Sequence, residues 1–144
     1  MPTHPDEVRR RIAPDEVQVQ VILGSLLGDG TLYGQPGERR LSIIHSTGRL
    51  AYASWKRDRL GSLASSPLQT DGDLVWFETI AHPLFDDLAR LCERGADGVD
   101  RISRERVVPW LAPLGLAVWM SDVGRTRLDA ALFLPDQARL ALTA

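Results

Sequence analysis

Two carboxylates at the ends of apolar runs hold most of the chemistry this sequence offers. Asp29 closes ILGSLLGDG (22–30) between two glycines, and Asp122 stands near the end of LGLAVWMSDVG (114–124). If the first run is helical, Asp29 sits at the negative end of a helix, where a further carboxylate is unfavourable unless a cation compensates it. Asp29 is therefore either a turn residue, Asp before Gly being common turn chemistry, or part of a divalent-cation site. Other chemistries find little support. His4, His45 and His82 are far apart and show no ligand spacing, Cys92 is the only cysteine, and no glycine-rich stretch is suited to cradle a phosphate.

Charge adds a second feature. The formal net charge is -2, yet residues 31–60 carry +4, residues 61–100 carry -6 and residues 101–127 carry +3. A nearly neutral whole can thus present a basic face to nucleic acid, the alternative being mixed charge on a solvated surface. A hydrophobic fraction of 44% and a charged fraction of 25% are ordinary for a globular chain, and 144 residues suit one domain or two small halves sharing a core. No apolar stretch approaches the ~20 residues that span a bilayer, and MPTHPDEVRRR lacks the apolar centre of a signal peptide. With one cysteine and no disulfide, a cytoplasmic location and no membrane partner are expected.

The elements that must position these groups follow from pattern. The polar, proline-broken first dozen residues read as a loose tail. Pro14-Asp15-Glu16 reads as a helix start, and the helix runs to about Gly28, although Val17, Val19 and Val21 alternate with glutamines as in a strand. Gly30, Gly34, Pro36 and Gly37 punctuate a turn between strands at 31–33 and 39–46. A basic amphipathic helix over 50–63 follows, then a hairpin over 68–79 around Asp71-Gly72-Asp73, and a helix from Pro83 to about Cys92. Residues 93–107 read as a connector, and Pro113 opens a last apolar helix. Beyond it, Leu128–Leu134 offers a strand, followed by a short helix or frayed end.

Gly24 and Gly28 lie one turn apart on one helical face. Glycine costs about 1 kcal/mol in a helix interior, a loss that makes sense where another backbone approaches closely. The last apolar helix is the expected partner, with Ala117 and Ser121 as its small residues, so the interface is expected at Gly24, Gly28, Ala117 and Ser121. Two helices packed so tightly bring their C-terminal ends together.

These stretches resemble the LAGLIDADG homing endonucleases. In ILGSLLGDG, Gly24 matches the glycine of the nine-residue motif, Asp29 its last acid and Gly30 its end. HSTGRLAYASWK is similar to the family's QS-x-x-H-x-x-Y-x-x-WK, with Ser46, Tyr52, Trp55 and Lys56 in place, His45 for Gln and Arg49 for His. HPLFDDLARL resembles the family's H-P-x-F-x-x-L, and LAPLGLAVWMSDVG its second motif. The resemblance implies an α+β fold of αββαββα repeats, each with a saddle-shaped antiparallel sheet lying in the major groove of duplex DNA. It further implies that Asp29, with the Gly28 carbonyl, holds Mg2+ or another divalent cation for phosphodiester hydrolysis. Arg40 and Ser42 would face DNA while Leu41 and Ile43 pack inward, and Arg39, His45, Arg49, Lys56 and Arg57 would add DNA contacts. Trp55 is expected in the core.

The sequence departs from the pattern in two ways. Aligning Gly124 with the closing glycine puts Val123 at the second metal position, with Asp122 one residue early. A one-residue slip turns a helical side chain by about 100°, so Asp122 reaches that position only if the helix end bends. The second departure is length: Leu116 to the end leaves too few residues for a second sheet. The organisation expected is a tail (1–13), a first repeat (14–95), a connector (96–113) and an incomplete second repeat (114–144). A monomer is expected, with a homodimer as the alternative. Two functions remain open, a site-specific DNA endonuclease and a DNA-binding module that no longer cuts.

Overall fold

A computed structural model describes residues 5–123 of the chain. The expected strand at Leu128–Leu134 and the tail end lie outside the described residues. Helix α1 spans Pro5–Arg11, and helix α2 spans Glu16–Leu27. The strand-like alternation at 17–21 yields to helix because the N-terminus is capped in both directions. The Gln18 N–H donates to the Asp15 carboxylate at 2.8 Å, and the Asp15 N–H donates to Gln18 Oε1 at 2.9 Å.

Strands β1 (Gly30–Tyr33) and β2 (Arg40–Ser46) lead to α3 (Leu50–Leu60), and β3 (Gln69–Asp71) and β4 (Leu74–Glu78) lead to α4 (Pro83–Ala89). The four strands form one antiparallel sheet in the order β1-β2-β4-β3. The helix, two strands, helix, two strands, helix order is thus the expected one.

Strand alternation divides the sheet into two faces. Leu41, Ile43, Val75 and Phe77 are fully buried on the inner face, and Leu41, Ile43 and Phe77 join residues of α2, α3 and α4 in one core. Burying each of these side chains contributes about 1.5–3 kcal/mol. Arg40, Ser42 and Ile44 turn to the open face, where Ser42 pairs with Glu78 and Ile44 with Trp76. Arg40 and Ser42 outward, Leu41 and Ile43 inward, is the partition expected from period two.

Helix α6 (Pro113–Val123) packs along α2. A Cβ added to Gly24 would collide with the Gly115 carbonyl and with Val118, and one added to Gly28 would collide with Asp122. The thin face of α2 is therefore required by a close backbone approach. On α6, however, the contact row is Gly115, Val118 and Asp122, not Ala117 and Ser121. Ser121 is exposed, and both it and Ala117 line a groove with Tyr52, Trp55 and Leu114. Gly115 is the small residue that the packing uses, and positions 115, 118 and 122 share a helical face that 117 and 121 do not.

Two segments expected to be irregular are structured. Residues 5–11 (PDEVRRR) form α1, with proline at its start and Arg9, Arg10 and Arg11 in its last turn, complementing the helix dipole. The connector folds into a hairpin, β5 (Cys92–Arg94) with β6 (Asp100–Ile102), followed by the short helix α5 (Arg104–Val107). Gly98, at φ 79°, supplies the left-handed residue of that turn.

Candidate functional site

The C-terminal ends of α2 and α6 meet, as the glycine spacing requires. The same offset of 94 residues separates Gly24 from Val118 and Gly28 from Asp122, so the two motifs face each other in equivalent positions. That offset carries Asp29 to Val123. The Asp29 side chain is 45% exposed, whereas the Asp122 carboxylate is completely buried.

Asp122 is saturated by protein donors. Lys56 Nζ lies 2.8 Å from Oδ1 and 2.9 Å from Oδ2, and the Tyr52 hydroxyl donates to Oδ1 at 2.7 Å. The Asp29 backbone N–H donates to Oδ2 at 3.0 Å. Lys56 is itself fully buried, with its ammonium 4.9 Å from the centre of the Tyr52 ring. Burial pulls its pKa down, against the opposing pull of Asp122 and Asp29. Tyr52 is pushed well above the ordinary phenol range by burial and by Asp122. Asp122 thus serves as an internal counter-ion that fixes the backbone at Asp29. Val123 is 46% exposed and brings no ligand to the α6 end.

Asp29 has a different setting. Burial first, then the neighbouring Asp122, raises its carboxyl pKa, with Lys56 and Arg49 acting the other way. Its Oδ2 lies 3.4 Å from Nδ1 of His45. His45 follows Leu41 and Ile43 on the inner face of β2 and is only 4% exposed. Neither ring nitrogen makes a hydrogen bond among the described residues. Burial, then the Lys56 ammonium, lowers its pKa to about 4, so the imidazole is neutral at pH 7. Asp29, His45 and Asp122 each offer an atom within 4.8 Å of the others. Only Asp29 and His45 among these retain lone pairs not committed to protein donors.

The basic residues do not form one face. Arg40 lies on the open sheet face, and the Arg49 guanidinium stacks 4.5 Å from the Tyr52 ring centre at the rim of the site. Arg39 turns to α4, 3.8 Å from Asp86, and Arg57 Nε donates to the Ser66 carbonyl at 2.7 Å. Lys56 and His45, expected to reach phosphates, are buried and therefore do not, Lys56 because Asp122 holds it and His45 because strand parity turns it inward. Trp55 packs against the core, as expected.

Three contributors were not anticipated from sequence. Tyr52 donates to Asp122, as described above. Gln20 bridges to the entry of α6, accepting from Ala112 N–H at 2.7 Å and donating to the Trp110 carbonyl at 3.0 Å. His82 caps α4 by accepting from Leu84 N–H, and its Nε2 donates to the Ile12 carbonyl at 2.9 Å, tying down the segment after α1. Its place before a proline at the start of a helix was the available signal for that role. No helix among the described residues is long and apolar enough to cross a membrane.

Residues 19–140 match the family model of the LAGLIDADG DNA endonuclease family. Protein RecA of Mycolicibacterium flavescens is 34% identical over 110 residues, 74% of this chain and 26% of that protein. Protein RecA of Mycolicibacterium fallax is 34% identical over 118 residues, 80% of this chain and 27% of that protein. The chain therefore spans about a quarter of the length of these curated relatives. Among solved structures, the homing endonuclease I-WcaI bound to its DNA recognition sequence superposes with a TM-score of 0.61 at 18% identity, over 79% of this chain and 54% of that one.

Proposed function

Since the chain belongs to the LAGLIDADG DNA endonuclease family, we propose that it binds duplex DNA on the open face of its sheet and directs a divalent cation, Mg2+ or a related ion, to a phosphodiester through Asp29. The observation that carries this reading is the half-exposed Asp29 carboxylate at the paired helix ends, beside a sheet whose outer face carries Arg40, Ser42 and the exposed Ile44.

The residues present fit such a cation. Asp29 keeps its carboxylate 45% exposed, and the nearby Lys56 is hydrogen-bonded to Asp122 instead. A divalent ion held by Asp29 would supply Lewis-acid polarisation of a phosphoryl oxygen and a more acidic water. Asp122 holds the Asp29 N–H and so fixes the ligand's backbone. The Gly28 carbonyl is the second ligand that the family resemblance supplies. Arg40 and Ser42 supply donors to the groove, and Arg49 a guanidinium to a phosphate near the site.

Val123 favours a second reading, binding without double-strand cleavage, because two cuts ask for two acid-bearing centres. Both readings require DNA on the sheet face. A salt titration of binding to a mixed-sequence duplex tests that requirement. The Arg40→Ala/Arg49→Ala variant should bind more weakly and lose about one unit from the log-log slope, for the Arg49 phosphate contact. An unchanged slope and affinity would place DNA elsewhere.

A further inference from the structure

We propose that His45 is a metal ligand, acting through Nδ1 together with the Asp29 carboxylate, and that this pair makes the centre select imidazole-binding first-row cations such as Mn2+ and Co2+ over Mg2+. The inference rests on the reading of Asp29 as a divalent-cation ligand, and it concerns which ion is held and by what.

The geometry supports a shared ion. Two donor atoms each about 2.1 Å from one first-row cation lie about 3.0–3.5 Å apart at bond angles of about 90–109°. Asp29 Oδ2 and His45 Nδ1 are 3.4 Å apart. They are not a hydrogen-bonded pair, since among the described residues neither Nδ1 nor Nε2 has a hydrogen-bond partner. A buried polar group without a hydrogen bond costs about 1–3 kcal/mol, so an imidazole with two orphaned nitrogens calls for an occupant that satisfies at least one. Asp122 is not a competitor for that ion, because its oxygens already accept from Lys56, Tyr52 and the Asp29 N–H.

The ring is also held in place. His45 sits on the inner face of β2, paired with Val75 across the sheet, and its ring centre lies 5.1 Å from that of Tyr52. A fixed neutral imidazole is a good ligand for Mn2+, Co2+ or Zn2+ and a poor one for Mg2+, which prefers oxygen donors and retains its waters. The amide of a glutamine, the residue the resemblance leads one to expect at this place, would offer oxygen instead. Exchanging it for imidazole shifts the preference toward the softer ions.

The test is electron spin-echo spectroscopy of the chain loaded with Mn2+, which detects nitrogen bound directly to the ion. The expected result is an imidazole nitrogen coupling in the unaltered chain that disappears in His45→Gln. It should also disappear in Asp29→Asn, a substitution at an exposed position that leaves His45 in place. Competition titrations should show Co2+ bound at least about tenfold more tightly relative to Mg2+ in the unaltered chain than in His45→Gln. Bound Mn2+ that depends on Asp29 but shows no nitrogen coupling overturns the proposal and leaves Asp29 as a cation ligand. A coupling that survives in His45→Gln overturns it as well, because the nitrogen then comes from elsewhere, and one that survives in Asp29→Asn overturns the sharing of one ion by Asp29 and His45. Failure of the unaltered chain to bind Mn2+ overturns both this proposal and the cation reading of Asp29, while the salt titration of DNA binding stands apart from either.

Discussion

The ends of α2 and α6 are equivalent in sequence and in position, yet they spend their carboxylates differently. Asp29 lies past the last turn of α2, 45% exposed, and among the described residues its oxygens accept no hydrogen bond. Asp122 lies one residue earlier in its own motif, which on a helix turns it from the rim into the interface, where Lys56 and Tyr52 surround it. One acid is left available for chemistry and the other is consumed in holding the two helices together. A single helical step separates the two fates, so an acid near the end of an apolar motif does not by itself define a metal ligand.

The largest effect should come from breaking the buried pair. Asp122→Ala leaves the Lys56 ammonium buried without its partner, at a cost of about 3–5 kcal/mol in urea unfolding. Adding Lys56→Met removes the stranded charge and should restore most of that loss. If Asp122→Ala alone costs less than about 1 kcal/mol, the α6 acid is not structural.

A somewhat smaller effect is expected from pH, through the other side of the site. The unfolded chain protonates His45 near 6.5, the folded chain only near 4. Between these values the unfolded state binds more protons, so the stability His45 contributes is complete above about pH 6.5 and falls as the pH drops toward 4, by up to about 3 kcal/mol. Asp29, whose carboxyl is raised, works in the opposite sense. The measurement is therefore the difference in urea stability between the metal-free chain and His45→Gln at pH 7 and pH 4.5. The parent should lose more than the variant, and equal losses would show that the imidazole titrates normally.

The smallest change in stability belongs to Val123→Asp. Val123 is 46% exposed at a helix C-terminus, where a carboxylate costs about 0.3–1 kcal/mol. Its consequence for function should be larger: equilibrium dialysis should count two Mn2+ per chain in place of one. A count that stays at one would mean that the α6 end cannot form a second centre.

Much of this asymmetry was legible in the sequence because it is local. The glycines of α2, the Asp29 position and the one-residue displacement of Asp122 are read along a single helix. What was missed depends on partners far away in the chain. Tyr52 and Lys56 meet Asp122 across 70 and 66 residues, and nothing near Lys56 announces a buried acid. Some signal was nevertheless present. Ala53, Lys56 and Leu60 share the buried stripe of α3, and His45 has the same strand parity as Leu41 and Ile43. That periodicity points inward, against the DNA contacts that the family resemblance implies for Lys56 and His45. Gly115 is a similar case, since Ala117 and Ser121 are also small residues of that run, while the contact with Gly24 sets the helical face.

The division of labour between the two acids is tested most directly by thermal denaturation of Asp29→Asn and Asp122→Asn, each with and without Mn2+. An ion that binds only the folded state raises its melting temperature, so one experiment reads stability and binding together. Asp29→Asn should melt near the parent temperature and lose the Mn2+-induced rise. Asp122→Asn should melt well below the parent and keep the rise. A variant pair with the reverse pattern, Asp122→Asn losing the rise at unchanged stability while Asp29→Asn retains it, would contradict the assignment of the cation to Asp29.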